Sequence, residues 1–259
     1  MKKIACLILA SFMMLMAVAN PLPPSREFYE IRTYFLKSAQ QEKTMDDYLS
    51  GALIPALKRQ GAKYVGVFKP IANDTAAVKK IVMVIPFKSI EQAAMLDQKL
   101  EKDKDYQQKG KNYIDAKYND PAYARMERTI LKAFTDQPVM IAPQLKGPKS
   151  ERVYELRSYE SASEKIYWNK VKMFNAGGEI KLFDRLGFNG IFYGEVVFGS
   201  KMPNLMYMTS FENMNDRNAH WKAFGSDEEW KKLSSMAEYQ NNVSHADIDL
   251  MRGVEYSDL

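Results

Sequence analysis

Two short stretches of this sequence carry the same three hydrogen-bonding side chains at the same spacing. Residues 28–34 read FYEIRTY and residues 153–159 read VYELRSY, so Glu30, Arg32 and Tyr34 are matched by Glu155, Arg157 and Tyr159. On an extended chain alternate side chains share a face, and each triplet therefore presents a carboxylate, a guanidinium and a phenol together. Arginine grips carboxylates in bidentate fashion, and tyrosine offers both a ring and a hydroxyl. Such a set would receive a small anionic or aromatic ligand. The plainer outcome is a pair of Glu–Arg bridges that fix strand register, because charges withdrawn from water must be paired.

His220 is the other residue with chemical reach. In NMNDRNAHWKAF, Met214, Trp221 and Phe224 fall at helical spacing with His220 beside them, and Asp216 lies four residues earlier. An Asp216–His220 pair on one helix face is the simple expectation. At the mouth of a cavity the same imidazole would act as a base or ligate haem iron. The only other histidine is His245, and neither has HExxH spacing. There is no P-loop, no GxGxxG after a strand and no GxSxG elbow. No complete catalytic set is visible, and neither a metal nor a cofactor is expected.

The elements that must hold these residues repeat as well. Behind the first heptapeptide, Met45, Leu49, Leu53 and Ala56 recur at helical spacing, and Gly61 is placed to stop the helix. Behind the second, Tyr167, Val171 and Phe174 do the same, with a break at Gly177-Gly178, resumption at Ile180 and Phe183, and a stop at Gly187. Two strand-like runs follow in each copy, AKYVGVFKP and KKIVMVIPF against FNGIFYGEVV and NLMYMTSF. Capping boxes are expected at Ser89 with Gln92 and at Ser226 with Glu229, and Asn213 is a further N-cap. Last strands are expected at 126–134 and 246–253. Each half thus reads β-α-β-β-α-β, a ferredoxin-like unit, and the class is α+β.

The expected divisions are a signal peptide at 1–19, a first repeat at 26–137, a linker at 138–149 and a second repeat at 150–257. A four-stranded sheet with helices on one side leaves its other face bare, and a tandem copy covers it. The two units are therefore expected to pair sheet to sheet as an α/β barrel within one chain. Tyr29, Ile31 and Phe35, like Tyr154 and Leu156, suit the helix-covered side. That reading aims both Glu-x-Arg-x-Tyr faces into a polar barrel interior.

Lys2 and Lys3, the apolar run IACLILASFMMLMAV and the small residues Ala17 to Ala19 make a signal-peptide pattern, with cleavage before Asn20. A periplasmic or secreted protein is expected, with no membrane attachment after cleavage. The one cysteine, Cys6, leaves with that segment, so neither disulfides nor thiol chemistry are expected. Formal charge falls from +5 to +3 without Lys2 and Lys3, and the remaining charges alternate, as in EKDKDYQQKGK. Nucleic acid would want a one-signed patch, and is excluded as a partner. NDT at 73–75 and NVS at 242–244 fit glycosylation acceptors but carry little information.

The heptapeptides resemble the opening strand of the NIPSNAP family, within the dimeric α/β-barrel superfamily. The stretch from Met173 to Leu233 resembles the second copy of exported bacterial members, and YARMERTILKAF is similar to a corresponding last strand. The likeness is weakest through 98–122, and the first copy lacks a counterpart of HWKAF…DEEW. It implies paired ferredoxin-like folds and no established reaction. Three functions remain open: a module binding a small molecule or a partner, a cofactor-independent or haem-binding oxygenase-like enzyme using Arg157, Tyr159 and His220, and an assembly protein that forms homo-oligomers through exposed sheet edges.

Overall fold

Short polar side chains and glycines set the boundaries of the elements. In the computed structural model, which describes residues 25–259, the first repeat begins with β1 (Phe28–Leu36) and α1 (Ala39–Tyr48). A π-helical turn (Leu49–Leu53) joins α1 to α2 (Ile54–Arg59). Then come β2 (Gly66–Pro70), β3 (Lys79–Phe87), α3 (Ile90–Ala94) and α4 (Leu96–Lys102). The repeat closes with α5 (Lys104–Lys109), α6 (Lys111–Ile114) and β4 (Arg125–Ala133). The second repeat runs β5 (Val153–Glu160), α7 (Glu164–Phe174), α8 (Glu179–Arg185), β6 (Asn189–Phe198) and β7 (Asn204–Phe211). It ends with α9 (Met214–Ser226), α10 (Glu228–Ser235) and β8 (His245–Gly253). The expected signal peptide lies outside the described residues.

Ser89 accepts from the Gln92 N–H at 3.3 Å, and the Gln92 side chain accepts from the Lys88 N–H at 2.8 Å, a capping box whose return bond is shifted one residue before the cap. Asn213 caps α9 through the Asp216 N–H. The cap expected at Ser226 is displaced by one residue: Ser226 ends α9, and the Asp227 carboxylate accepts from the N–H groups of Glu229 and Trp230. A carboxylate also suits the positive end of the helix dipole, which favours Asp over the neighbouring serine. Gly61 and Gly187 end their helices at φ +90° and +79°, a region open to glycine.

The strands close into one barrel in the order β1-β3-β2-β8-β5-β7-β6-β4. Each repeat contributes a ferredoxin-like sheet, and the seams are β2 against β8 and β4 against β6, all antiparallel. Closure pairs the edges that an assembly protein would have offered, so edge-mediated oligomers are not available to this barrel.

The barrel interior is not polar. Tyr29, Ile31, Phe68, Val82, Leu131, Tyr154, Leu156, Phe192 and Met208 fill it. Tyr34 instead packs with Met45, Leu49, Ile81 and Met83 beneath α1 and its continuation, and Tyr159 packs with Phe174 and Tyr207. The Glu-x-Arg-x-Tyr faces therefore point toward the helices, opposite to the expected side. The reason is a supply of partners. The inside of a narrow closed barrel is filled almost wholly by strand side chains, whereas helices bring long side chains to a buried charge.

One end of the barrel is stoppered. Met140 from the linker and Leu259 are buried in the barrel core, and the Ile141 N–H donates to the Ile191 carbonyl at 3.0 Å. The other end opens into a cavity of ≈270 Å³ between Thr33, Glu127, Ser158, Asn204 and Asp247. Both asparagines of the glycosylation patterns, Asn73 and Asn242, are buried and hydrogen-bonded. No helix among the described residues is long and apolar enough to cross a membrane.

Candidate functional site

Strand pairing explains how each triplet acquires further groups. In the second repeat, Arg157 Nε donates to Glu155 Oε1 at 2.6 Å and Nη1 donates to the Tyr159 hydroxyl at 2.8 Å. Its Nη2 reaches Glu155 at 2.6 Å, which completes the guanidinium. From α9, Arg217 donates to both Glu155 oxygens at 2.8 and 3.0 Å, and Trp221 Nε1 adds a bond of 2.8 Å. The Trp221 ring lies 3.7 Å from the Arg157 guanidinium carbon, a stacked cation–π contact. Burial alone would raise the Glu155 carboxyl. The Arg217 bonds, the Arg157 charge and the Trp221 N–H outweigh it and hold the group below the ordinary carboxylate range. Tyr159 and Tyr207 share a hydroxyl contact of 2.9 Å. Behind them Lys170 and Glu179 form a buried pair at 2.7 Å.

The first repeat completes the same motif differently. Glu30 is fully buried and accepts from Arg32 Nε at 2.5 Å, and from Arg128 Nε and Nη2 at 2.8 Å each. Arg128 comes from β4, directly across the ladder from Arg32. Burial would raise Glu30, but Arg32 and Arg128 together hold it low. Arg32 is only 4% exposed. Its Nη1 makes one long contact, 3.4 Å to the Tyr34 hydroxyl, and its buried Nη2 has no partner among the described residues.

Tyrosines wall this guanidinium. Tyr48 stacks on Tyr113 at 3.6 Å and bonds the Tyr106 hydroxyl at 2.9 Å, and Tyr34 stands edge-on to Tyr123. Burial raises the hydroxyls of Tyr106 and Tyr113, and the Arg32 charge pulls back on both. The same two rings, with Tyr123 and Leu100, line a surface cleft of ≈360 Å³ rimmed by Asp97, Glu101 and Gln107. Asp97 is itself bridged by Arg128 at 3.1 Å.

His220 joins neither arrangement. Its Nδ1 donates to the Asp216 carbonyl at 2.9 Å and lies 3.2 Å from the Asp216 carboxylate, as the i, i+4 spacing suggests. The ring packs on Phe188 and Phe211, and Nε2 faces Gly187 so closely that a Cβ there would lie at 3.2 Å. That imidazole does not fit an axial haem ligand. Trp221, Phe224 and Trp230 pack into the helix-side core.

Three groups escaped the sequence reading. Arg128 sits in YARMERTILKAF, and pairing the first strand of a ferredoxin-like unit with its last would have placed it opposite Arg32. Arg217 and the Trp221 N–H carry no spacing signal toward Glu155, some sixty residues away. The tyrosine wall comes largely from 98–123, where the two copies diverge.

Residues 154–258 match the NIPSNAP family model. A candidate monooxygenase from Fusobacterium nucleatum superposes with a TM-score of 0.59 at 5% identity, covering 89% of this chain and 94% of that one. A second, from Lactobacillus acidophilus, gives 0.56 at 7% identity over 88% and 94%. A NIPSNAP-like domain protein from Burkholderia xenovorans aligns at 16% identity over 42% of this chain and 90% of its own, with a TM-score of 0.38. At these identities the likeness is one of fold. No curated protein matches the chain.

Proposed function

This chain carries a NIPSNAP domain at residues 154–258 within a single-chain α/β barrel, and from that premise we propose that it is a non-enzymatic binding module whose first repeat receives a small aromatic ligand bearing an anionic oxygen. The observation that carries this reading is the buried, unpartnered Nη2 of Arg32 inside a tyrosine wall. A buried guanidinium N–H without an acceptor is costly, and a carboxylate or phenolate oxygen would fill it. Glu30 answers Arg32 and Arg128, but Arg128 is shared with Asp97, so Arg32 is the guanidinium left with donors to spare. The rings of Tyr106, Tyr113 and Tyr123 offer faces for an aromatic body. The cleft does not itself reach Arg32, so entry requires α5 and α6, helices of six and four residues, to move.

The second repeat supports the contrast. Its copy of the motif is saturated by Arg217 and Trp221, which matches a structural ion-pair network. In neither repeat do the titratable groups form a nucleophile, base and orienting residue in sequence.

Calorimetry with 4-hydroxybenzoate on the full chain tests the proposal. Wild type and Arg157→Met bind alike, and Arg32→Met loses at least tenfold in affinity while keeping its circular dichroism, since Glu30 retains Arg128. Equal binding by Arg32→Met, or no binding by wild type, would overturn it. Denaturing mass spectrometry of the purified protein would name any ligand carried from the cell.

A further inference from the structure

The open end of the barrel lies on the other face of the sheet from Arg32, and its chemistry has the opposite sign. We infer that it receives a small organic amine, with the ammonium at the rim and an apolar body on the floor. Ile31, Val82, Leu156 and Met206 form the floor of the ≈270 Å³ cavity, and Glu127, Asp247 and Asp249 stand around its mouth. Lys201 is also there and is occupied, and Lys80 is there without an ion pair among the described residues. Lys201 bridges Asp247 at 2.5 Å and approaches Glu160 at 3.8 Å, and the Lys80 ammonium lies 5.8 Å from the centre of the Phe35 ring. Among the described residues, Glu127 and Asp249 have no ion-pair partner.

An independent feature points the same way. Asn204 is 3% exposed and lines the cavity. Its Nδ2 donates to Ser158 at 2.8 Å, and its buried Oδ1 has no donor among the described residues. Two unpaired carboxylates and a buried amide oxygen thus face one unpaired ammonium, Lys80, among the described residues, and a ligand that brings N–H groups and positive charge balances the set. The rim already holds one cation in this way. Lys201 reaches Asp247 from a backbone at φ 62°, a left-handed conformation that residues with side chains adopt reluctantly. Strand pairing rather than local spacing also brings Glu160, His245 and Asp247 within 4.8 Å of one another beside the cavity, so the same rim has the donor set of a metal site. The apolar floor and the buried amide favour the amine, because a hydrated metal ion would use neither.

Saturation-transfer NMR and calorimetry on the full chain, with benzylamine and its neutral analogue benzyl alcohol, decide the matter. Benzylamine binds, benzyl alcohol binds at least tenfold more weakly, and added salt weakens the amine. The Glu127→Gln/Asp249→Asn variant loses at least tenfold, and Glu127→Gln alone, an exposed change, loses severalfold. Asn204→Ala loses affinity for the amine and not for the alcohol. Arg32→Met leaves benzylamine binding untouched, which separates this site from that of the first repeat. Equal binding of amine and alcohol, indifference to the rim carboxylates, or no binding at millimolar concentration would overturn the inference. So would Mn²⁺ binding that depends on His245 while benzylamine leaves no mark, since the site would then be a metal's.

Discussion

The two repeats write the same Glu-x-Arg-x-Tyr triplet on the same strand and finish it with different partners. In the second, α9 runs thirteen residues and lays Arg217 and Trp221 over Glu155 and Arg157. In the first, the helices at the equivalent place are five and seven residues long, and no side chain from them reaches Glu30. A strand residue, Arg128, supplies the second guanidinium, and tyrosines supply the walls. Where α9 lies, the motif is closed by a helix. Without such a helix, the buried Nη2 of Arg32 stays open among the described residues. A duplicated motif can thus be structural in one copy and receptive in the other, and the difference rests on what covers it.

The largest expected break in this comparison comes from Trp221. Trp221→Ala removes the ring stacked on Arg157, one donor to Glu155 and a member of the aromatic layer with Phe183, Phe188 and Phe224. Since the side chain is half-buried, the expected loss is about 3 kcal/mol, toward the low end for an aromatic truncation. Trp221→Phe keeps most of the stack and forfeits the bond to a charged acceptor, for about 2 kcal/mol. Urea denaturation followed by circular dichroism measures both. A Trp221→Ala variant as stable as wild type would mean that the helix does not close the second motif.

Much of this architecture was legible in the residues, and the site was legible only in part. The repeated heptapeptide, the glycine stops at Gly61 and Gly187 and the Ser89 box fix two ferredoxin-like units, because each is a local rule of backbone chemistry. The direction of the triplets was not. Alternation says which residues share a face, but it assigns that face to helix or barrel only through the partners available there. Tyr29 and Ile31 looked like helix-side residues because they are apolar, yet the barrel interior is as dry as the helix layer. The aromatic and charged residues that decide the outcome, Arg217, Trp221 and Tyr113, lie tens of residues from the motifs they complete. No spacing rule connects them.

The ladder register offers an exchange between the two layers. Arg128 faces Arg32 across the ladder, and the matching position opposite Arg157 is Ile248. Arg128→Ile leaves Glu30 with Arg32 alone, and the expected cost is about 2 kcal/mol, discounted because Arg128 is partly exposed. It also takes away the cation shared by Glu30 and Asp97 and leaves both carboxylates less screened, so 4-hydroxybenzoate should bind at least threefold more weakly. Ile248→Arg adds a guanidinium to a carboxylate already holding its full set of donors, and stability should move by less than about 0.5 kcal/mol. Ladder partners that exchanged without any such asymmetry would show the two layers to be equivalent.

The smallest effect expected is in acid, and it separates the repeats by sign. Glu30 and Glu155 are held below the ordinary value of 4.5, so on acidification the unfolded chain takes up their protons first. The stability they contribute is complete above about pH 4.5 and drains as pH falls through their folded values. Glu179 runs the other way. Burial raises it, against the opposing charge of Lys170, so the native state binds its proton more tightly and its contribution improves as pH falls. The second repeat therefore carries two opposed carboxylates in its buried helix-side layer; in the first, burial also raises Glu27 just before β1, but Glu27 is only half-buried and lies outside the layer that holds Glu30. Amide exchange read strand by strand should show β1 losing protection before β5 as the pH is lowered from about 4.5 toward about 3. Glu30→Gln should abolish the lead of β1, and Glu179→Gln should make β5 follow sooner. Protection lost first in β5 of the wild-type protein would mean that the helix-closed motif, and not the open one, is the acid-sensitive half.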